Sequence, residues 1–247
     1  MNITSDSRVS DVATGAPATI RVFQEHGIDF CCGGKRPISE ACAERGIDVA
    51  HLVAQLQAVG SDIGGDRNWQ AAPLRELVTH IQRRFHEPLR NELPRLTGMM
   101  AKVVSRHGDQ LPQTLRPLQA TLTELQDELL HHMTKEDAVL FPAIVATEAG
   151  ETGPGGLSQP IAVMEAEHDQ AGRALARMRE LTTDYTPPEW ACPTFRGLYF
   201  GLAELEREMH MHVHLENNIL FPRAARRHPA SVPAVPIDTS ARPDLTM

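Results

Sequence analysis

Six side chains in this sequence have the types and the spacing of metal ligands. His132-Met-Thr-Lys-Glu136-Asp-Ala-Val-Leu-Phe-Pro142 recurs as His212-Val-His-Leu-Glu216-Asn-Asn-Ile-Leu-Phe-Pro222, so both copies read H-x-x-x-E-x-x-[V/I]-L-F-P, 80 residues apart. A His and a Glu four residues apart share one helix face, which lets one helix offer an imidazole and a carboxylate to the same ion. Upstream of each copy stands another His beside an acid, in Phe85-His86-Glu87 and Glu167-His168-Asp169; the separations are 46 residues from His86 to His132 and 44 from His168 to His212. The repeating unit is His…His-x-x-x-Glu on two helices, present twice: His86, His132 and Glu136, then His168, His212 and Glu216. A hairpin duplicated for packing alone would preserve Leu140/Leu220 and Phe141/Phe221, but has no use for repeated polar residues on its buried side.

Four imidazoles and two carboxylates suit iron or manganese. Zn²⁺ usually takes a compact four-ligand site, and Ca²⁺ or Mg²⁺ favours oxygen. If both glutamates bridge, six side chains supply about eight donor atoms to two roughly six-coordinate ions, leaving room for a bridging oxygen and a small exogenous ligand. His80, His107, His131, His210 and His214 lie nearby and compete for the same roles. On a 3.6-residue turn His131 sits about 100° from His132 and His214 about 200° from His212, so only one of each set faces inward with its Glu. Glu128 and Glu208, each four residues before its His, leave the side of the carboxylate open, although alignment of the two copies favours Glu136 and Glu216. Glu167 and Glu87 are candidates to orient an imidazole or relay a proton.

These ligands need long helices. From Pro73 onward the periodicity is helical, and it predicts segments over about 73–106, 117–145, 159–181 and 194–227, with Leu74, Leu77, Ile81 and Phe85 as the first apolar stripe. Pro88 and Pro94 fall inside the first and predict a kink or break. The order of the His-bearing segments predicts an antiparallel four-helix bundle over 73–228. Residues 1–60 read as a small helical domain. Pro17 opens a helix that stops at Gly27, Pro37 opens one ending before Gly46, and Asp48 caps another through Val59. The stretch 61–72 reads as a linker, Gly150–Gly156 as the middle loop, and 229–247 as a disordered tail. No segment sustains period-two alternation, so the expected class is all-α.

Composition narrows the rest. A net charge of −8 with only local basic pairs, Arg83-Arg84 and Arg226-Arg227, argues against nucleic acid as a partner. No run approaches the ~18 apolar residues of a membrane span, and the polar N-terminus leads into no signal-like segment. Four cysteines, two of them adjacent, make a poor disulfide framework and fit a reducing, cytoplasmic setting. Cys31 and Cys32, followed by Gly33-Gly34 on a loop, can approach a partner closely, and Lys35 and Arg36 would lower a thiol pKa if they are near. The pair is read as holding or passing iron, or exchanging electrons. Cys42 reads as structural, and Cys192 is left without a role.

The histidine and glutamate set resembles the hemerythrin-type HHE cation-binding domain, and Asp29-Phe-Cys-Cys-Gly-Gly resembles the small ScdA-type domain that precedes it in the Repair of Iron Centres family. Glu216–Pro222 and Ala191-Cys192 are similar to that family as well, and the match spans about residues 5–228. The resemblance implies a cytoplasmic di-iron protein whose two iron ions are held by His86, His132, His168 and His212 and bridged by Glu136 and Glu216, with an oxo bridge left open. It also implies partners among iron–sulfur proteins damaged by nitric oxide or peroxide, repaired by supply of iron. Two other readings stand beside it: an enzyme reducing NO or consuming peroxide with an external reductant, and an O₂- or NO-binding sensor. No defined turnover reaction is assigned, and the chain is expected to act as a monomer or homodimer.

Overall fold

The computed structural model describes residues 2–60, 68–151 and 156–227. Most of the expected linker, the centre of the middle loop and the tail at 229–247 lie outside the described residues. The chain is all-α. Among the described residues the only β feature is an isolated bridge between Arg8 and Pro37.

Four short helices form the N-terminal unit: α1 (Val9–Gly15), α2 (Thr19–Glu25), α3 (Ile38–Arg45) and α4 (Val49–Gly60). Their apolar faces close on a core that includes Val9, Val12, Phe23, Phe30, Ile38, Leu52 and Leu56. Asp48 caps α4, its Oδ1 accepting the N–H of Ala50 at 2.8 Å and of His51 at 3.1 Å. Gly46 ends α3 in the left-handed region at φ 65°, where glycine carries no Cβ penalty. α1 carries little signal in the sequence, being only seven residues long and without a side-chain cap.

The start of α1 is completed by the cysteine loop, because Val9 N–H donates to Arg36 O at 3.1 Å and Ser10 N–H to Gly34 O at 2.8 Å. Gly34 is required there. A Cβ on it would lie 2.6 Å from Phe30 O and 2.9 Å from Ser10 Cβ. Gly34→Ala is therefore expected to destabilise the N-terminal unit by about 1–3 kcal/mol, as overpacking does. Thermal melting followed by circular dichroism tests this; an unchanged melt would show that the loop moves aside freely.

The bundle has four long helical arms. The first comprises α5 (Leu74–Ile81), a π-helical turn at Gln82–His86, and α6 (Glu87–His107); the second comprises α7 (Pro112–Lys135), a π turn at Glu136–Leu140, and α8 (Phe141–Glu148). The third is α9 (Ser158–Leu181). The fourth comprises α10 (Pro193–Leu215), a π turn at Glu216–Leu220, and α11 (Phe221–Arg227). Leu74, Leu77, Ile81 and Phe85 all enter the bundle core, with Leu93, Leu96, Leu122, Leu125, Leu202 and Leu205 beyond them.

Each π turn has the same neighbour. Pro88, Pro142 and Pro222 stand two residues after the ends of the three π segments. Proline inside a regular α-helix lacks an N–H and drives its ring against the carbonyl four residues back. A widened turn just ahead of the ring relieves that clash, and such turns recur at functional sites. The break expected at Pro88 is thus a π turn within a continuing helix, and Pro94 sits inside α6 without ending it. The second arm begins at Pro112 rather than Pro117, since the first helical position tolerates the missing N–H at no cost.

Candidate metal centre

The six side chains converge in the bundle core. Each of the three π turns puts a candidate ligand at its edge: His86 ends the first, Glu136 opens the second and Glu216 opens the third. His168 comes from regular helix in α9. Two groups form, His86/Glu136/His212/Glu216 and His132/Glu136/His168/Glu216, with the candidate ligand atoms of each within 4.8 Å of one another. Both glutamates belong to both groups, and both are 0% exposed. Glu216 reaches His212 Nε2 through Oε1 at 3.0 Å and His168 Nε2 through Oε2 at 3.2 Å. Glu136 Oε2 lies 3.4 Å from His86 Nε2 and 3.3 Å from His132 Nε2.

The hydrogen bonds fix the imidazole tautomers. His86 Nδ1 lies 2.9 Å from Asp137 Oδ1, His132 Nδ1 2.7 Å from Glu167 Oε2, and His168 Nδ1 2.8 Å from Asn217 Oδ1. Carboxylate and amide oxygens accept, so these Nδ1 atoms carry hydrogen and the Nε2 lone pairs face inward. His86 and His212 bring their Nε2 atoms to 3.0 Å, and His132 and His168 to 2.9 Å. Two lone pairs facing at that distance repel unless a cation, proton or metal lies between them. Both Glu136 oxygens and Glu216 Oε2 are buried with no hydrogen bond of good geometry. A buried carboxylate so placed is costly unless a positive charge satisfies it, and this donor set fits a metal.

The pKa directions agree. Burial alone would push His86 down, but hydrogen bonds to Asp137 and Glu216 and the nearby carboxylate charges raise it to about 9. Burial likewise opposes, and the Glu136 and Glu216 charges with the Glu167 bond outweigh it, so His132 also rises to about 9. Against its burial, the His212 charge and bonds from His168, His212 and His86 hold Glu216 well below the usual carboxylate range. The pocket is built for positive charge.

Two orienting residues escaped the sequence reading, although the repeat marks them. Asp137 and Asn217 occupy the same position in the two copies, directly after Glu136 and Glu216. Each orients the first histidine of its own hairpin. Asp137 is itself held by Gln82 at 2.9 Å and Arg90 at 2.6 Å. Glu87, named for that role from sequence, is exposed, while Glu167 does reach His132 and also pairs with Lys135. Asp137→Ala is expected to weaken metal affinity about 10–100-fold, the usual effect of losing a group that orients a ligand. Competition against a chromophoric chelator measures it; an affinity within twofold of the parent would assign Asp137 a purely structural part.

The two units also differ just before the upstream histidine. Glu167 precedes His168, and the matching position before His86 is Phe85. Phe85 stacks on His212 with centroids 5.1 Å apart and planes 2° apart, leaving the buried His212 Nδ1 unbonded. His86 stacks on Phe141 and His168 on Phe221. A cavity of about 320 Å³, lined among others by Asp127, Glu128, His131, Lys135 and Glu167, reaches His132 and His168. The His86/His212 side does not line it.

Of the competing histidines, His80 packs against Trp69 and Phe85, His107 against Trp190 and Phe195, and His210 against Phe30. His131 is exposed, and His214 is buried but faces the N-terminal unit, its Nδ1 3.4 Å from Phe30 O and its pKa lowered to about 4 by burial. Glu208 pairs with Arg84 on the surface, and Glu128 lines the cavity. The cysteine loop rests on the bundle, with Cys32 Sγ 3.6 Å from His168 O and Asn218 Nδ2 3.3 Å from Phe30 O. Cys31 and Cys32 have their sulfurs 3.8 Å apart. The expected depression of a thiol pKa by Lys35 and Arg36 does not occur at Cys31. The Cys32 hydrogen bond, burial and Asp29 raise it, and Asp29 Oδ1 accepts the Cys31 S–H at 3.0 Å. Lys35 is exposed and Arg36 pairs with Glu44.

The profile of the hemerythrin HHE cation binding domain matches residues 77–224. The chain belongs to the hemerythrin HHE family. The ScdA N-terminal domain, a domain of unknown function, matches residues 5–60. The iron-sulfur cluster repair protein YtfE of Musicola paradisiaca is 41% identical over 221 residues, covering 90% of this chain and 97% of that protein. YtfE of Yersinia pseudotuberculosis is 42% identical over 216 residues, covering 87% and 95% respectively, and a Yersinia pestis YtfE matches to the same extent. The hemerythrin match encloses all six converging side chains, and the ScdA match encloses the cysteine loop. No helix among the described residues is long and apolar enough to cross a membrane.

Proposed function

We propose that this protein repairs damaged iron–sulfur clusters by handing over iron from a two-iron centre. In this reading His86 and His212 hold one ion and His132 and His168 the other, with Glu136 and Glu216 shared between them. The observation that carries it is the membership of two fully buried glutamates in both groups. Nitrogen and oxygen ligands in this ratio suit iron, and the similar proteins from Musicola and Yersinia bear the name of cluster repair proteins. When bound, iron would supply Lewis acidity and one-electron chemistry; in donation it is cargo.

The chain's own groups make the two positions unequal. Glu167 and Lys135 flank the cavity that reaches His132 and His168, whereas Phe85 closes over His212. The ion at His132/His168 is accordingly the one that leaves, with Glu167 holding the His132 Nδ1 proton as it does so. Cys32, seated against the His168 carbonyl, and its neighbour Cys31 are assigned to hold or pass iron or electrons. Cys31 enters as a neutral thiol, since Asp29 accepts its proton's hydrogen bond. The test loads the protein with isotopically labelled iron and mixes it with a peroxide-damaged [4Fe–4S] enzyme. Recovery of activity, with label found in the rebuilt cluster, is expected to exceed that from equal free ferrous iron. Equal recovery from free iron would overturn the proposal.

A further inference from the structure

A second cavity, of about 470 Å³, lies between the N-terminal unit and the bundle, and it shares no lining residue with the one that reaches His132 and His168. Arg36 and Arg45, at the two ends of α3, belong to one wall, and residues of α9 and α10 form the other. Arginines and carboxylates balance in its lining, Arg36, Arg45, Arg179 and Arg207 against Asp29, Glu180, Asp184 and Glu206. What separates the two signs is how far their hydrogen-bonding capacity is used. Asp29 accepts the N–H groups of Cys31, Cys32 and Gly33 as well as the Cys31 S–H. Arg179 grips Glu206 and also reaches Asp184, and Arg177 takes Glu180. Every carboxylate of the lining is thus engaged. The donors are not. Arg45 is exposed and pairs with no carboxylate among the described residues. Arg36 uses one nitrogen on Glu44 at 2.5 Å, while its Nε is buried with no hydrogen-bond partner. His210 Nε2 stands 4.0 Å from Glu206 Oε1, beyond hydrogen-bond reach. A buried N–H left unmet is costly, so surplus donors of this kind call for an acceptor-rich guest.

We propose that this cavity is a binding site for a small dicarboxylate, held by Arg36, Arg45 and His210. A guanidinium fork matches a carboxylate with two parallel N–H···O bonds. Arg36 and Arg45 stand nine residues apart across α3, about 13 Å along the helix, yet both side chains reach the same cavity. Two forks rooted that far apart favour a guest with a carboxylate at each end over one compact anion. Gly27 makes room for one of them, since a Cβ there would lie 2.8 Å from Arg45 Nη1. Arg36 and Arg45 belong to the N-terminal unit and His210 to the bundle, so the guest ties the two together. The site stands apart from the metal centre and does not rest on iron donation.

The full chain is titrated calorimetrically with succinate, and separately with acetate and with inorganic phosphate. One succinate per chain is expected, bound about tenfold or more tighter than either of the others. Arg45→Gln and Arg36→Gln are each expected to weaken succinate by about tenfold or more, the usual effect of losing a hydrogen bond to a charged group. A second measurement needs no variant. Phenylglyoxal modifies accessible guanidiniums, and peptide mass spectrometry is expected to show succinate slowing the reaction at Arg45 but not at the exposed Arg116, which does not line the cavity. Absence of succinate binding, phosphate bound as tightly as succinate, or an unchanged rate at Arg45 overturns the proposal in the parent protein alone. A folded Arg45→Gln that keeps parental affinity overturns the assignment to this cavity.

Discussion

Glu216→Ala is expected to empty both metal positions, whereas His212→Ala is expected to weaken chiefly one. The asymmetry follows from the carboxylate's two oxygens, one 3.0 Å from His212 and the other 3.2 Å from His168, in different ligand groups. Without metal, the same carboxylate balances imidazoles that are themselves buried and raised in pKa, His86 and His132 among them. Removing one partner from such a buried charged cluster typically costs about 3–5 kcal/mol. The variant should therefore lose metal and melt earlier even when compared with metal-free parent. Elemental analysis after dialysis, with melting by circular dichroism, reads both. A Glu216→Ala protein that keeps one ion at parental affinity would limit this glutamate to a single position.

The second large effect is on pH. Before metal binds, His86 in one group and His132 in the other stay protonated up to about pH 9. A metal takes only the neutral imidazole, so loading each position displaces about one proton. Below about pH 9 the affinity at each position should rise roughly tenfold per pH unit, and above it the dependence should flatten. The sign follows from the raised pKa: higher pH removes the competing proton and tightens binding. Calorimetry in buffers of different ionisation heat counts the protons released, and a pH-independent affinity between 7 and 9, on the order of two units, would refute the assignment.

Much of this was legible beforehand because a two-helix unit written twice exposes its fixed positions. His132/Glu136 and His212/Glu216 stand out by identity, and His86 and His168 by matching separation. The orienting groups were less visible because their chemistry differs between copies. Asp137 and Asn217 do one task with a carboxylate and an amide, while Glu87, adjacent to His86 in sequence, points to solvent. Adjacency along a helix turns a side chain by about 100°, so a neighbour in sequence is seldom a neighbour in the site. The π turns hid behind prolines that ordinarily signal a break. The docking of the cysteine loop on His168 could not be read at all, since it joins residues 136 apart through a backbone carbonyl that any residue supplies.

Three of the four arms meet the centre through a widened turn with a proline two residues beyond, and α9 alone runs straight past it. In mechanical terms the cage has three clamped joints and one plain rod. That rod carries His168, and it is the one against which Cys32 bears. The N-terminal unit also bears on the fourth arm, where Phe30 O meets His214 and Asn218, so a displacement of that unit reaches the two arms that carry His168, His212 and Glu216. Loosening such a cage from one hairpin takes less work than loosening it everywhere, and His168 on that hairpin also lines the cavity that reaches His132.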